Sequence, residues 1–311
     1  MESINRMAVE LVDEALDFAD ELNVAPYELD SGATVLDFGV EADGGVEAGV
    51  LLAEIQTAGL STVTTRMGRV DGAPVPHVEL STDHPGVALL CSQKAGWELD
   101  FDVFDGLGSG PARALVGEES EFEAVGYYDE FDLTVLAVES IELPDEQIAA
   151  HVADLAGVEE SGVFLPTFAL GSIAGSVAAG ARAPETAVWQ LFEAGYDPDD
   201  VLSVSGTAPV APVGYDESEA MARTNDALAY GGEVHLTVAR DDEDAFASIS
   251  SDAGAEFDEP FADIFEAHDW DFEALPASVF GPAAVTVDVA DGPTYRFGER
   301  NEALLAESFG F

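Results

Sequence analysis

Arg182 and Glu185, an arginine and a glutamate three residues apart, are distinguished by their surroundings. They fall in GSIAGSVAAGARAPETAVWQLFEAGYD (171–197), whose first half is almost entirely Gly, Ala, Ser and Val. A surface this flat lets another backbone or a ligand lie directly against it. Ala181 and Ala183 flank the arginine, and a spacing of three predicts both charges on one side of a helix. An acid and a base then project together from a wall with little else on it. The plain alternative is an exposed ion pair worth a few tenths of a kcal/mol, and spacing by itself leaves both readings open.

Other residues are candidates for holding an anion. Lys94 is the only lysine of the chain, and it closes the helix predicted in STDHPGVALLCSQKAGW (81–97). It reads either as an anion ligand or as a cation complementing the helix C-terminus. The stretch GLGSGP (106–111), with Gly108 and Ser109, leads to Arg113 between a strand and a short helix. It resembles a backbone nest for phosphate or carboxylate, although it matches neither GxxxxGK[ST] nor GxGxxG. Two apolar strands, 133–138 and 201–204, end at Glu139-Ser140 and at Ser205-Gly206-Thr207. Strand C-termini are where open α/β sheets place ligand groups. Cys91, the only cysteine, lies among aliphatics and reads as a small buried hydrophobe. A single cysteine excludes an internal disulfide and a cysteine-based metal cluster. The five histidines, His77, His84, His151, His235 and His268, show no HxxxH or HxH spacing.

The elements that must position these groups follow from periodicity. Residues 3–22 repeat apolar positions at helical spacing behind Ser3, a capping residue. Residues 33–40 read as a strand, and 61–70 with 73–81 as a hairpin turning at Asp71-Gly72. His77 then alternates with its neighbours as a strand residue. The acidic run 117–132 marks a change of composition, after which strands and helices alternate to about residue 240. This predicts a mixed α/β (α+β) fold of two layered domains. The expected division is 1–116 with 241–311 as a first, discontinuous domain, and 117–240 as a second carrying Arg182 and Glu185. Phe261, Phe265 and Trp270 are expected in the core.

Taken together, several segments resemble the methenyltetrahydromethanopterin cyclohydrolases of archaea and methylotrophs. They include ELNV (21–24), VELSTDHPGVA (78–88), SQKAGW (92–97), GSGPARAL (108–115), GSIAGSVAAGARAPET (171–186), SGTAPVAPV (205–213), PFADIFEAHDWDF (260–272) and ESFGF (307–311). The similarity runs essentially the length of the chain. It implies hydrolysis of a 5,10-methenyl pterin to the 5-formyl derivative without metal, in a pocket between two α/β domains, by a homotrimer. No bound cofactor is implied, since the tetrahydropterin carrier is itself the substrate. In the family an Arg and a Glu three residues later hold and activate the attacking water, and that motif falls on Arg182 and Glu185. Lys94, Arg113 and the GLGSG backbone are then places for the anionic tail of the carrier, and Phe280 for a ring contact. Tetrahydrofolate in place of tetrahydromethanopterin, a non-catalytic pterin- or anion-binding protein, and a metal-independent hydrolase of another amidine-like substrate are the alternatives.

Composition bounds the partners. Of 311 residues, 47% are hydrophobic, enough for a large core. Sixty-three acids face ten bases, a formal charge of −53. Without a basic stripe there is nothing to neutralise nucleic-acid phosphates or anionic lipid. No apolar run reaches the ~18 residues of a membrane span, and the N-terminal residues show no export signal, so a cytoplasmic protein is expected. The acids are spread along the whole chain, which marks a surface built for molar salt, where the Debye length shrinks to about 3 Å and repulsion is screened. The melting temperature is therefore expected to fall steeply on dialysis from molar KCl into dilute buffer. An unchanged value in the two solutions overturns this reading.

Overall fold

In the computed structural model, residues 1–214, 216–254, 257–268, 275 and 277–311 are described. Trp270 lies outside them. The chain opens with α1 (Ile4–Asp17), α2 (Ala19–Leu22), β1 (Ala25–Glu28), β2 (Thr34–Gly39), α3 (Val46–Gln56), β3 (Thr62–Val70) and β4 (Ala73–Thr82). A π-helical segment (Gly86–Gln93) leads to β5 (Ala95–Phe101), β6 (Phe104–Ser109), α4 (Arg113–Val116), α5 (Ser120–Val125), β7 (Thr134–Val135) and β8 (Ala137–Glu139). Then come α6 (Glu146–Ala156), β9 (Val163–Phe168), α7 (Ile173–Gly180), α8 (Ala183–Glu193), β10 (Val201–Pro209) and α9 (Glu217–Gly231). The remainder is β11 (Glu233–Val238), α10 (Glu243–Phe246), α11 (Phe261–Ala267), a 3₁₀ turn (Ala277–Phe280), β12 (Ala284–Val289), β13 (Thr294–Gly298) and α12 (Glu302–Phe309).

Local rules account for many boundaries. The Ser3 hydroxyl accepts from the Arg6 N–H and caps α1. Asp71 (φ 43°) and Gly72 (φ 80°) both take positive φ between β3 and β4, as the primed two-residue hairpin turn requires. Where a regular helix was expected in 81–97, the backbone widens into π geometry and returns at once to strand β5. Such segments are rare and concentrate at functional sites.

Two compact units result, and their boundaries differ from those expected. The first comprises residues 1–62 and 87–178, the second 63–86 and 179–311. The acidic run 117–132 is no boundary, because the strands on either side of it pair: β6 lies antiparallel to β8, Ser109 opposite Ala137. Residues 241–311 belong with β10 and not with the N-terminus, since β12 runs parallel to β11 and β11 antiparallel to β10. Long-range strand pairing overrides composition here, and composition reports only the solvated surface.

The first unit is built on a sheet of order β1-β2-β9-β8-β6-β5, with β7 also pairing to β9. Its core gathers Val35, Leu99, Leu136, Val138, Ile148, Val152 and Leu165. Gly49 of α3 meets α7, where an added Cβ would stand 2.6 Å from Val177 Cβ. Part of the small-residue face of α7 thus serves close helix packing. The second unit has a sheet of order β13-β12-β11-β10-β4-β3. Helix α8 lies against β10, β11 and β4. Phe261 and Phe265 sit in a core shared with Tyr230, Leu305 and Phe309.

Within that core Asp226 of α9 is buried, accepting from the Phe261 N–H (2.9 Å) and the Ser308 hydroxyl (2.6 Å). Burial pushes its carboxyl up to about 6, with the nearby Asp263 adding to it. A carboxyl raised in the folded state stabilises the fold below its unfolded value and loses that contribution as pH rises through the folded one. Asp226→Asn is therefore expected to be stabilising near neutral pH, by at most about 3 kcal/mol. Its advantage over the native chain should vanish near pH 4, as read by melting temperatures in molar KCl between pH 4 and 7.5.

Candidate active site

Helix α7 ends at Gly180, and α8 begins at Ala183 with Arg182 as its N-cap residue (φ −83°, ψ −5°). Arg182 and Glu185 are therefore not on one continuous helix. They stand at a junction, Glu185 in the first turn of α8 and Pro184 between them. The chain turns here because the Arg182 N–H bonds the Ala179 carbonyl (3.0 Å), while the Thr186 N–H takes up the Arg182 carbonyl (2.9 Å) and starts the next helix. The proline needs no N–H at that position.

The two side chains meet. Arg182 Nε donates to Glu185 Oε2 at 3.0 Å and Nη2 lies 2.9 Å from the same oxygen. Glu185 is 3% exposed, and the arginine side chain 22%. Both contacts go to Oε2, so Oε1 is the oxygen that Arg182 does not engage. The carboxylate suits its place, since a helix N-terminus favours negative charge, whereas the guanidinium sits where the dipole opposes it. Burying such a pair costs desolvation that its attraction does not reliably repay. Stability alone does not explain the arrangement.

The remaining candidates divide between the units. Thr207 and Phe280 share the second unit with the pair. Strand β10 runs on to Pro209, so Ser205-Gly206-Thr207 lies inside the strand and not beyond its end. The Thr207 hydroxyl is buried without a hydrogen-bond partner. Phe280 packs on the hydrophobic core, its ring 6.0 Å from that of Phe261, and its 3₁₀ turn touches α8.

Lys94, Gly108, Ser109, Arg113, Glu139 and Ser140 lie in the first unit. Residues 106–109 of the GLGSG backbone are not a nest but part of strand β6, paired with β5 on one side and β8 on the other, and the Gly110 N–H bonds the Ser92 carbonyl (2.7 Å). The strand's peptide groups are spent on the ladders, and a Cβ at Gly108 would meet Leu136 at 3.0 Å. The Ser109 hydroxyl accepts from Gln56 Nε2 (3.0 Å). Ser140, buried, donates to the Asp105 carbonyl (2.6 Å). Glu139 ends β8 opposite Leu107.

Arg113 is wholly buried. It grips Glu119 with Nε (2.9 Å to Oε1) and Nη2, reaches the Leu90, Ser92 and Lys94 carbonyls, and lies 5.4 Å over the Phe122 ring. Lys94 Nζ lies 2.6 Å from Glu121 and 3.4 Å from Glu119. Burial opposes ionisation of Glu121, but the Lys94 ammonium together with hydrogen bonds from the backbone and Ser120 holds the carboxyl below its ordinary value. Two cations meet two carboxylates, so the surplus positive charge expected for an anion site is already matched. The signal for this cluster was in the sequence, since Glu119 and Glu121 belong to the acidic run. Cys91 is buried and its thiol is pushed up to about 12, chiefly by burial, which fits a packing role. His77 is a buried strand residue bonded to the Val75 carbonyl, and burial lowers its basicity. The amide of Gln93, fully buried at the end of the π segment with neither end bonded, was not singled out from the sequence.

The sequence profile described as Cyclohydrolase (MCH) matches residues 3–309. This chain belongs to the cyclohydrolase family. A methenyltetrahydromethanopterin cyclohydrolase of Halobacterium salinarum is 58% identical over 310 residues, covering 100% of this chain and 99% of the relative. Proteins of the same name from Methanospirillum hungatei and Methanocella arvoryzae are each 38% identical, with 100% of this chain covered and 100% and 99% of theirs. Among the described residues no helix is long and apolar enough to cross a membrane.

Because Arg113 is tied into the fold on every side, Arg113→Met strands Glu119 beside Glu121 with one cation fewer. A loss of about 3–5 kcal/mol is expected, measured by denaturant unfolding in molar KCl. An anion-binding role without a structural one predicts unchanged stability instead.

Proposed function

We propose that this chain adds water to the methenyl carbon of 5,10-methenyltetrahydromethanopterin and opens the ring to the 5-formyl derivative, with Glu185 as base and Arg182 as its orienter. The observation that carries the proposal is the buried Glu185 carboxylate, anchored through Oε2 by Arg182 and leaving Oε1 for a proton. The names of the relatives support the substrate. Tetrahydrofolate is the alternative carrier, and none of the relatives named above carries it in its name.

The chemistry suits these groups. The methenyl carbon bridges two nitrogens that share a positive charge, so it is an electrophile as it stands. A water oxygen bonds to that carbon while its proton passes to Glu185. The tetrahedral adduct then collapses: the bond from carbon to the N10 nitrogen breaks with its electron pair on nitrogen, and Glu185 returns the proton there. The hydroxyl proton departs to solvent as the formyl C=O forms, so a cation and water become a neutral formyl amide and one proton. A carboxylate held next to the carbon is in place to take the proton as the carbon–oxygen bond forms. Arg182 fixes the rotamer of Glu185 through two contacts to one oxygen, a geometry that a flexible surface pair does not hold.

A homotrimer is part of the same reading and is supported by the family resemblance; light scattering in molar KCl reads it directly. The experiment for the chemistry is Glu185→Gln, which keeps the shape and removes the proton acceptor. Turnover, followed as loss of methenyl absorbance in molar KCl, is expected to fall on the order of 100-fold or more, with substrate binding largely kept. Near-native turnover in this variant refutes the assignment.

A further inference from the structure

The junction that carries Arg182 and Glu185 is seated on two neighbouring strands at two glycine contacts, one on either side of the arginine. Before it, Gly180 at the end of α7 lies on β4, where an added Cβ would stand 2.8 Å from Val78 Cγ1. After it, the Pro184 ring lies on β10 at Gly206, where an added Cβ would stand 2.9 Å from Pro184 Cγ, 3.1 Å from Cδ and 3.0 Å from Val234 Cγ2. The two strands pair directly, Val78 opposite Ala208 and Leu80 opposite Gly206. Neither glycine takes a positive φ, so the backbone tolerates alanine at both. What glycine supplies is the absence of a side chain.

We propose that Gly206 and Gly180 are positioning residues for the reaction, setting the depth at which the Arg182–Glu185 turn lies on β4 and β10. Proline transmits the contact because its ring cannot rotate away, unlike a flexible side chain, and Glu185 is the next residue. A methyl group at Gly206 must displace either Val234 or the ring. Lifting the ring carries the first turn of α8 with it and moves the carboxylate relative to any bound substrate. A displacement of about 1 Å costs up to roughly 100-fold in rate where reacting groups must be aligned. Gly206 in the interior of a strand is otherwise unfavourable, since it forgoes side-chain packing, and the Pro184 contact supplies the reason for it. The inference rests on the reading of Glu185 as base.

Its test is Gly206→Ala, assayed with methenyltetrahydromethanopterin in molar KCl beside Pro184→Ala, the double variant and Glu185→Gln. Gly206→Ala is expected to lower kcat about 10- to 100-fold with KM changed less than threefold and the melting temperature nearly unchanged. Pro184→Ala in the Gly206→Ala background, which removes the ring that the methyl group strikes, is expected to restore kcat to within a few-fold of Pro184→Ala alone. Such coupling is what residues in contact show and distant ones do not. Gly180→Ala with Val78→Ala gives the same comparison on the other strand, in a helical position where alanine favours folding. Native kcat in Gly206→Ala, or a double variant no better than the product of its singles, overturns the proposal. So does loss of folding in both glycine variants. If Glu185→Gln turns over normally the assignment of the base fails, whereas an inactive Glu185→Gln beside a fully active Gly206→Ala leaves the base standing and removes the clamp.

Discussion

A carboxylate is buried at the first turn of a helix and tied through one oxygen to the arginine at the N-cap position of the same helix. Several features of the second unit bear on holding that pair. The helix dipole favours Glu185 and opposes Arg182, so the arrangement persists because the turn around it is over-determined. Ala179, Arg182 and Thr186 exchange backbone hydrogen bonds there, Pro184 restricts the backbone, and the paired strands β4 and β10 support the turn from beneath. Groups placed for chemistry commonly cost stability that the surrounding fold must offset.

The scarcity of cations makes their use informative. With ten bases against sixty-three acids, each base is surrounded by potential partners, and most of them form ion pairs. Arg113 and Lys94 are drawn into a compact cluster with Glu119 and Glu121 in the first unit. This cluster ties the π segment, Lys94 just before β5, and the acidic run together through the carbonyls that Arg113 reaches and its grip on Glu119. Two carboxylates of a run that reads as solvated surface are thereby turned inward. Among the described residues Asp37, Glu185 and Asp226 are also buried, and the other acids remain at least partly exposed, where salt must screen them.

Several features were legible in the residues themselves. The Asp71-Gly72 hairpin, the Ser3 cap, the aliphatic setting of Cys91 and the strand position of His77 follow from local conformational rules and from alternation, and the structure agrees with each. The small-residue stretch before Arg182 was legible as a place of close approach, and part of it packs against α3 at Gly49. Features decided by pairing at long range were not legible. The acidic run looked like a boundary, yet β6 and β8 join across it. GLGSG looked like a loop that binds anions, yet its residues 106–109 belong to an inner strand. Ser205-Gly206-Thr207 looked like a strand end, yet β10 continues because it is paired with β4 on one side and β11 on the other.

The sequence by itself determined the types of groups available, an Arg and a Glu three residues apart in a wall of small residues, together with the family and the α/β class. These depend on residue identity and near-neighbour spacing, which a chain displays without folding. Only the tertiary structure decided that the pair stands at a break between two helices, that Arg182 engages one oxygen of Glu185, and that Arg113 and Lys94 are neutralised within the fold. Those outcomes depend on which strands pair and which side chains lose water, and both are set by contacts between residues far apart in the chain.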